Sequence, residues 1–136
     1  MRKSWRTLLT WAAALLLAAG LTAVTAAPQA KAAAPSATAT LTPSGCDLTL
    51  TYTWSNFNTA SRYVVAIQQR EDATGGYNAV IIRGYIAEKS GSESITYTVP
   101  AGTTGTFRGQ GWLYRSNGRE ISGSMLTTAD QTLSCP

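Results

Sequence analysis

From Cys46 to Trp54 the chain reads CDLTLTYTW, which places Cys46, Leu48, Leu50, Tyr52 and Trp54 on one side of an extended backbone and Asp47, Thr49, Thr51 and Thr53 on the other. Successive side chains of a strand point to opposite faces, so a two-residue period marks a strand with one wet face. The period returns in RYVVAIQQR (62–70), YNAVIIRGYIA (77–87), the short ITYTV (95–99) and QTLSC (131–135), and most cleanly in TFRGQGWLY (106–114). Between these runs lie SNFN, EDATGG, KSGSES, PAGTTG and RSNGR. Such clusters of Gly, Asn, Asp and Ser turn a chain.

No window beyond residue 34 keeps a helical period, and Thr, Val, Ile and Tyr fill the runs as a pleated sheet prefers. Two hairpins are expected. One spans 62–87 and turns at Gly75-Gly76; the other spans 106–126 and turns at Asn117-Gly118, a pair suited to a type I′ turn with positive φ at both central residues. Residues 35–43 (PSATATLTP) fit either a linker or an edge strand. Short strands in this number predict an all-β fold: a small antiparallel β-sandwich of about seven strands, one domain over residues 44–136. The layout resembles that of immunoglobulin and fibronectin III domains, with both hairpins in one sheet. The resemblance is of layout alone, because the two cysteines stand at the ends, at 46 and 135, without the Cys, Trp, Cys spacing of immunoglobulin domains.

The first 34 residues have a different character. A basic start (Arg2, Lys3, Arg6) precedes an apolar run from about Leu8 to Val24 and then small residues, the three parts of a secretory signal. Cleavage sites fit after Ala26, Ala32 or Ala34, and the last two match best. The apolar run is shorter than the ~20 residues of a bilayer span, which argues against an anchor. Arg2-Lys3 is not a twin-arginine pair, and no cysteine follows the run closely enough to carry a lipid. The formal charge of +4 rests on this segment: Arg2, Lys3, Arg6 and Lys31 are four of the 11 basic residues, and the other seven balance the 7 acidic ones. A neutral mature chain gives no basis for binding nucleic acid or, once the signal is gone, a membrane. The expected product is therefore secreted and extracellular. There Cys46 and Cys135 are expected to form a disulfide, worth about 4 to 5 kcal/mol for a loop of this length in the chain-entropy model.

The composition also limits the chemistry. The chain has no histidine, hence neither the usual general base near neutral pH nor the commonest metal ligand, so serine and cysteine triads are not expected. Glu71 and Asp72 are adjacent in a turn, where charge serves solubility, rather than spaced as a glycosidase pair. Gly75-Gly76 and Gly109-x-Gly111 lack the strand-to-helix context of a phosphate loop. No catalytic residue, cofactor or metal is expected, and the chain is not read as an enzyme.

One surface remains as a candidate. If Tyr63, Val65, Ile67, Val80, Ile82, Ile86, Phe107 and Leu113 form the inner set, the glycines at 109 and 111 leave room for Tyr52 and Trp54 of the other sheet. The opposite face then collects Arg62, Val64, Ala66, Gln68, Arg70, Ile81, Arg83, Tyr85, Arg108, Gln110, Trp112 and Tyr114. Six of the seven mature basic residues are arginines in these strands or their turns, and Lys89 is the exception. Trp, Tyr and Arg are enriched at interaction hot spots and lysine is depleted. The candidate binding residues are Arg83, Tyr85, Arg108, Gln110, Trp112 and Tyr114. Two other readings stand beside this one: an ordinary exposed face held by aromatic and arginine stacking, and a reversed parity that buries Trp112 and Tyr114. The expected function is a small secreted, non-catalytic binding module for a protein or polysaccharide partner. The alternative is a proteinaceous inhibitor of an extracellular hydrolase that presents RSNGR as a fixed projection.

Overall fold

The computed structural model describes residues 32–136. The expected export segment, apart from its last three residues, lies outside them. The described chain is all β: β1 (Ser36–Ser44), β2 (Asp47–Ser55), β3 (Arg62–Arg70), β4 (Tyr77–Ile86), β5 (Gly91–Thr98), β6 (Thr104–Tyr114), β7 (Leu126–Thr127) and β8 (Gln131–Ser134). They form a three-stranded sheet of order β1-β2-β5 and a five-stranded sheet of order β4-β3-β6-β7, with β8 also paired to β6. All pairs are antiparallel. This is the antiparallel two-sheet sandwich expected, with both hairpins in one sheet. Residues 35–43, left open between linker and edge strand, fall almost wholly in β1, which pairs with β2 from Ser36 to Ser44.

The two inner faces follow from the two-residue period. Leu48, Leu50, Tyr52 and Trp54 of β2 are buried, and facing them are Tyr63, Val65 and Ile67 of β3 with Phe107 and Leu113 of β6. The glycines of β6 make the close approach possible. A Cβ at Gly109 would fall on the Leu50 side chain, and one at Gly111 would fall in the Tyr52 ring. Of the two aromatics expected over these glycines, Tyr52 is there. Trp54 instead covers Gly91 of β5, lies tilted with its centroid 5.4 Å from that of the Tyr63 ring and donates Nε1–H to the Glu88 carbonyl at 2.8 Å.

The strand β4 departs from expectation. Val65 pairs with Arg83 and Tyr63 with Tyr85, so Arg83 and Tyr85 share the inner parity, while Ile82 and Ile86 point outward, 62% and 71% exposed. The physical reason is position: β4 is an edge strand, so apolar side chains along it do not report the core. Arg83 stays soluble on the inner side by pairing with Glu93 of β5 at 3.3 Å, and Glu93 also accepts the Tyr63 hydroxyl. A register shift between Ile67 and Gln68 leaves Val80 unpaired, and both Val80 and Ile81 pack against the core.

One stretch of chain, running antiparallel beside β6, closes the other flank of the five-stranded sheet. It touches β6 at Glu120 opposite Tyr114, at β7 and at β8, with two excursions between. The first excursion carries Ser124, fully buried, whose hydroxyl accepts from Leu113 N–H and donates to the Ile121 carbonyl, while its own carbonyl accepts the Tyr52 hydroxyl at 2.6 Å. Cys46 and Cys135 are bonded, with Cα atoms 5.7 Å apart. Cys46 lies not in β2 but beside Gly45 in the two-residue loop joining Ser44 to Asp47, where Gly45 takes the positive φ (60°). The loop at 115–119 also differs from expectation. Only Gly118 has positive φ (81°), and Gly118 N–H bonds the Arg115 carbonyl at 2.9 Å. The turn is thus of type I with a left-handed glycine after it, not the type I′ expected, and Asn117 instead caps Arg119 N–H through its side chain at 3.0 Å.

Candidate binding face

With Phe107, Gly109, Gly111 and Leu113 turned inward, the alternate residues of β6 must face out. Arg108, Gln110, Trp112 and Tyr114 are therefore all on the solvent side, each partly exposed. The parity that would bury Trp112 is excluded by the two glycines, since no other residue fits beneath Leu50 and Tyr52. Pairing extends the face across neighbouring strands: Trp112 sits opposite Val64, Tyr114 opposite Arg62, Gln110 opposite Ala66 and Arg108 opposite Gln68.

Of the six candidate residues, four lie together. Arg83 and Tyr85 do not join them, because the β3–β4 register turns both to the other side of the sheet. Their places are taken by Ile82 and Ile86, which sequence parity had put in the core, and by Gly84, opposite Val64.

The face has two halves. Toward the end of β6, the Trp112 and Tyr114 rings meet edge to face with centroids 6.4 Å apart. Beside them a shallow depression of about 350 Å³ is lined by Arg62, Val64, Tyr114 and Gly118, so the 115–119 turn forms one rim. Toward the start of β6, the Arg108 guanidinium lies 3.8 Å from the centroid of the Tyr77 ring and donates through Nε to Gln68 Oε1 at 2.8 Å. Tyr77 donates its hydroxyl to Asp130 at 2.7 Å, and this bond to a carboxylate raises its phenol above the ordinary value. Gln110 is held by Thr127 Oγ1 at 3.0 Å. Arg108 and Gln110 are thus each held by a side-chain partner, which restricts their rotamer freedom. Tyr77 was not legible as a member: it opens a strand after two glycines, and nothing in its spacing tells that its ring lies over Arg108.

The outer face of the three-stranded sheet is a natural contrast. It carries Thr49, Thr51 and Thr53 opposite Thr96, Ser94 and Ser92, and the hydroxyls bond each other in pairs at 3.0, 2.8 and 2.9 Å. Those hydroxyls satisfy one another in pairs.

The turn acids are held locally. Glu71 accepts from Asn78, and Asp72 accepts from Thr74, whose backbone and hydroxyl donors hold the Asp72 carboxyl below its ordinary value. Among the described residues, no three His, Cys, Asp or Glu side chains come together in a metal-binding group.

No protein-family model matches the chain, and no curated protein matches it. Among solved structures it is similar to a Bordetella pertussis protein given the provisional name ApaA, with 19% identity over 76% of this chain and 93% of that one and a TM-score of 0.35.

Proposed function

We propose that this chain is a small exported, non-catalytic binding module whose contact surface is the outer face of the five-stranded sheet. The observation that carries the proposal is the difference between the two outer faces. One is paired threonine and serine; the other is Trp112, Tyr114, Val64 and Ile82 among Arg62, Arg108 and Gln110. Both face water, and only the second has the composition of an interaction hot spot. Its aliphatic members favour a protein partner over a polysaccharide, which would need flat rings presented face-on rather than Trp112 packed edge to face with Tyr114. Export is supported by the signal-like first 34 residues and agrees with the disulfide.

The test compares wild type with Arg108→Ala, Trp112→Ala and, as a control on the other face, Thr51→Ala. Each is immobilised and exposed to culture supernatant and, separately, to insoluble cell-wall glycan. Species held by wild type and by Thr51→Ala but lost from the other two support the face. Retention of every species by wild type and all three variants contradicts it.

A second proposal, inhibition of an extracellular hydrolase, draws on the 115–119 turn. Arg115 to Glu120 are all exposed, and the loop is pinned by Arg115 N–H to the Arg119 carbonyl at 2.8 Å, by Gly118 and by Asn117. A rigid projection of this kind fits an active-site cleft. A panel of trypsin-like, subtilisin-like and amylase activities tests it, and no inhibition at micromolar concentration removes it.

A further inference from the structure

Three of the large hydrophobic side chains most exposed among the described residues, Ile82 (62%), Tyr85 (67%) and Ile86 (71%), lie within five consecutive positions of β4. That strand is the free end of the five-stranded sheet, so one row of its backbone N–H and C=O groups has no strand partner among the described residues. Free edges are templates for pairing, and folded proteins usually blunt them with proline, lysine, bulges or short strands. The other edges here show such devices. The strand β1 is threonine-rich and carries Pro43, β5 is lined with serine, threonine and Glu93, and the edge beyond β6 is broken between β7 and β8. From Ile81 to Ile86, β4 has none: its bulge lies before Ile81, and its single charge, Arg83, is paired with Glu93.

About Gly84 this edge places Ile82 and Ile86 at equal distances, with the unlike but complementary Arg83 and Tyr85 between. We infer that β4 pairs antiparallel with β4 of a second copy of this chain, with Gly84 facing Gly84 across a two-fold axis. In that register each Ile82 meets the other copy's Ile86, and each Arg83 meets the other copy's Tyr85, an aliphatic pair and a cation–aromatic pair each made twice. Neighbouring registers are worse. Centring on Arg83 sets two guanidinium groups directly opposite, centring on Tyr85 sets Ile86 against Gly84 and Arg83 against Ala87, and centring on Ile82 sets Arg83 against Ile81. Arg83 is still 54% exposed while bound to Glu93, so it has surface left for the second contact.

Directly opposed residues of an antiparallel pair project to the same side. The two-fold axis therefore stands perpendicular to the joined sheet, and the two copies' outer faces lie side by side on one surface. The inference concerns the strand edge and stands whether or not that face binds a ligand. Edge-to-edge pairing of so few residues falls at the small end of specific interfaces, so the dimer is concentration-dependent.

Sedimentation equilibrium of the purified protein between about 1 μM and 1 mM tests the inference, with thermal unfolding of each variant confirming an intact fold. The wild-type mass is expected to rise to that of two copies and no further. Ile82→Glu, at an exposed site, is expected to weaken association at least tenfold. Adding Ile86→Lys to Ile82→Glu sets Glu against Lys across the axis twice and is expected to recover roughly threefold or more. A wild type that stays at the mass of one chain, a mass growing past two copies, an Ile82→Glu variant that pairs as wild type does, or a double variant no tighter than Ile82→Glu would each overturn the inference.

Discussion

The ring of Tyr52 occupies the space that a side chain at position 111 would need. One sheet thereby reads the other: β6 can turn toward the core only the side that carries glycine, and Trp112 is left outside. Gly111→Ala forces either the ring or the strand to move. It is expected to lower unfolding free energy by about 2 to 3 kcal/mol, in the range of overpacked cores. Gly109→Ala, which meets Leu50, is expected to do the same. Urea denaturation of the two variants checks both.

Tyr52 also carries the polar end of this contact. Its hydroxyl supplies the donor for the buried Ser124 carbonyl, so Tyr52→Phe leaves that carbonyl unpaired at a cost of about 1 to 3 kcal/mol. Burial first, and Glu120 second, push the Tyr52 phenol well above its ordinary value. A group whose folded pKa is raised contributes stability that is full below the unfolded pKa, near about 10, and lost as pH climbs above it. Wild type is therefore expected to lose stability above about pH 10, and Tyr52→Phe to lose less over the same rise. Denaturant midpoints measured from pH 8 to 11 give the comparison.

The disulfide joins the β1–β2 turn to the C-terminal end of the chain, across 89 positions. Oxidised protein is expected to show no free thiol under denaturing, non-reducing conditions. Replacing both cysteines by serine is expected to cost about 2 to 5 kcal/mol. Two reactive thiols per chain would contradict the bond.

The geometry of the 115–119 turn predicts an asymmetry between neighbours. Gly118 has a φ of 81°, so Gly118→Ala is expected to cost about 1 to 2 kcal/mol. Asn117 is not in the left-handed region and gives up only its cap to Arg119, so Asn117→Ala is expected to cost less than about 1 kcal/mol. A type I′ turn would penalise both. Thermal unfolding of the two variants separates the cases.

Central strands were legible in the sequence because both of their neighbours enforce the two-residue period. β2, β3 and β6 keep one buried side; alternation divides each into two faces, but for β6 it leaves open which face is inside, and the contacts of Gly109 with Leu50 and Gly111 with Tyr52 decide it. The edge strand β4 was not legible for the complementary reason. With one neighbour and partial cover, it admits Arg83 on the inner side and Ile82 and Ile86 on the outer, so hydrophobicity there misassigned the parity and carried Arg83 and Tyr85 into the wrong face. Within the face, Arg108, Gln110, Trp112 and Tyr114 followed from the glycines beside them. Tyr77 did not, because its contact with Arg108 joins residues 31 positions apart through a hairpin tip with no periodic signal.

The most direct test of the binding face is the affinity of wild type, Trp112→Ala and Thr51→Ala for a protein species captured by wild type, measured by calorimetry with all three proteins shown to be folded. Trp112→Ala is expected to bind at least tenfold more weakly, a loss of about 1.4 kcal/mol, while Thr51→Ala binds as wild type does. Equal affinity of wild type and Trp112→Ala, or an equal loss in Thr51→Ala, would contradict a contact surface on the outer face of the five-stranded sheet.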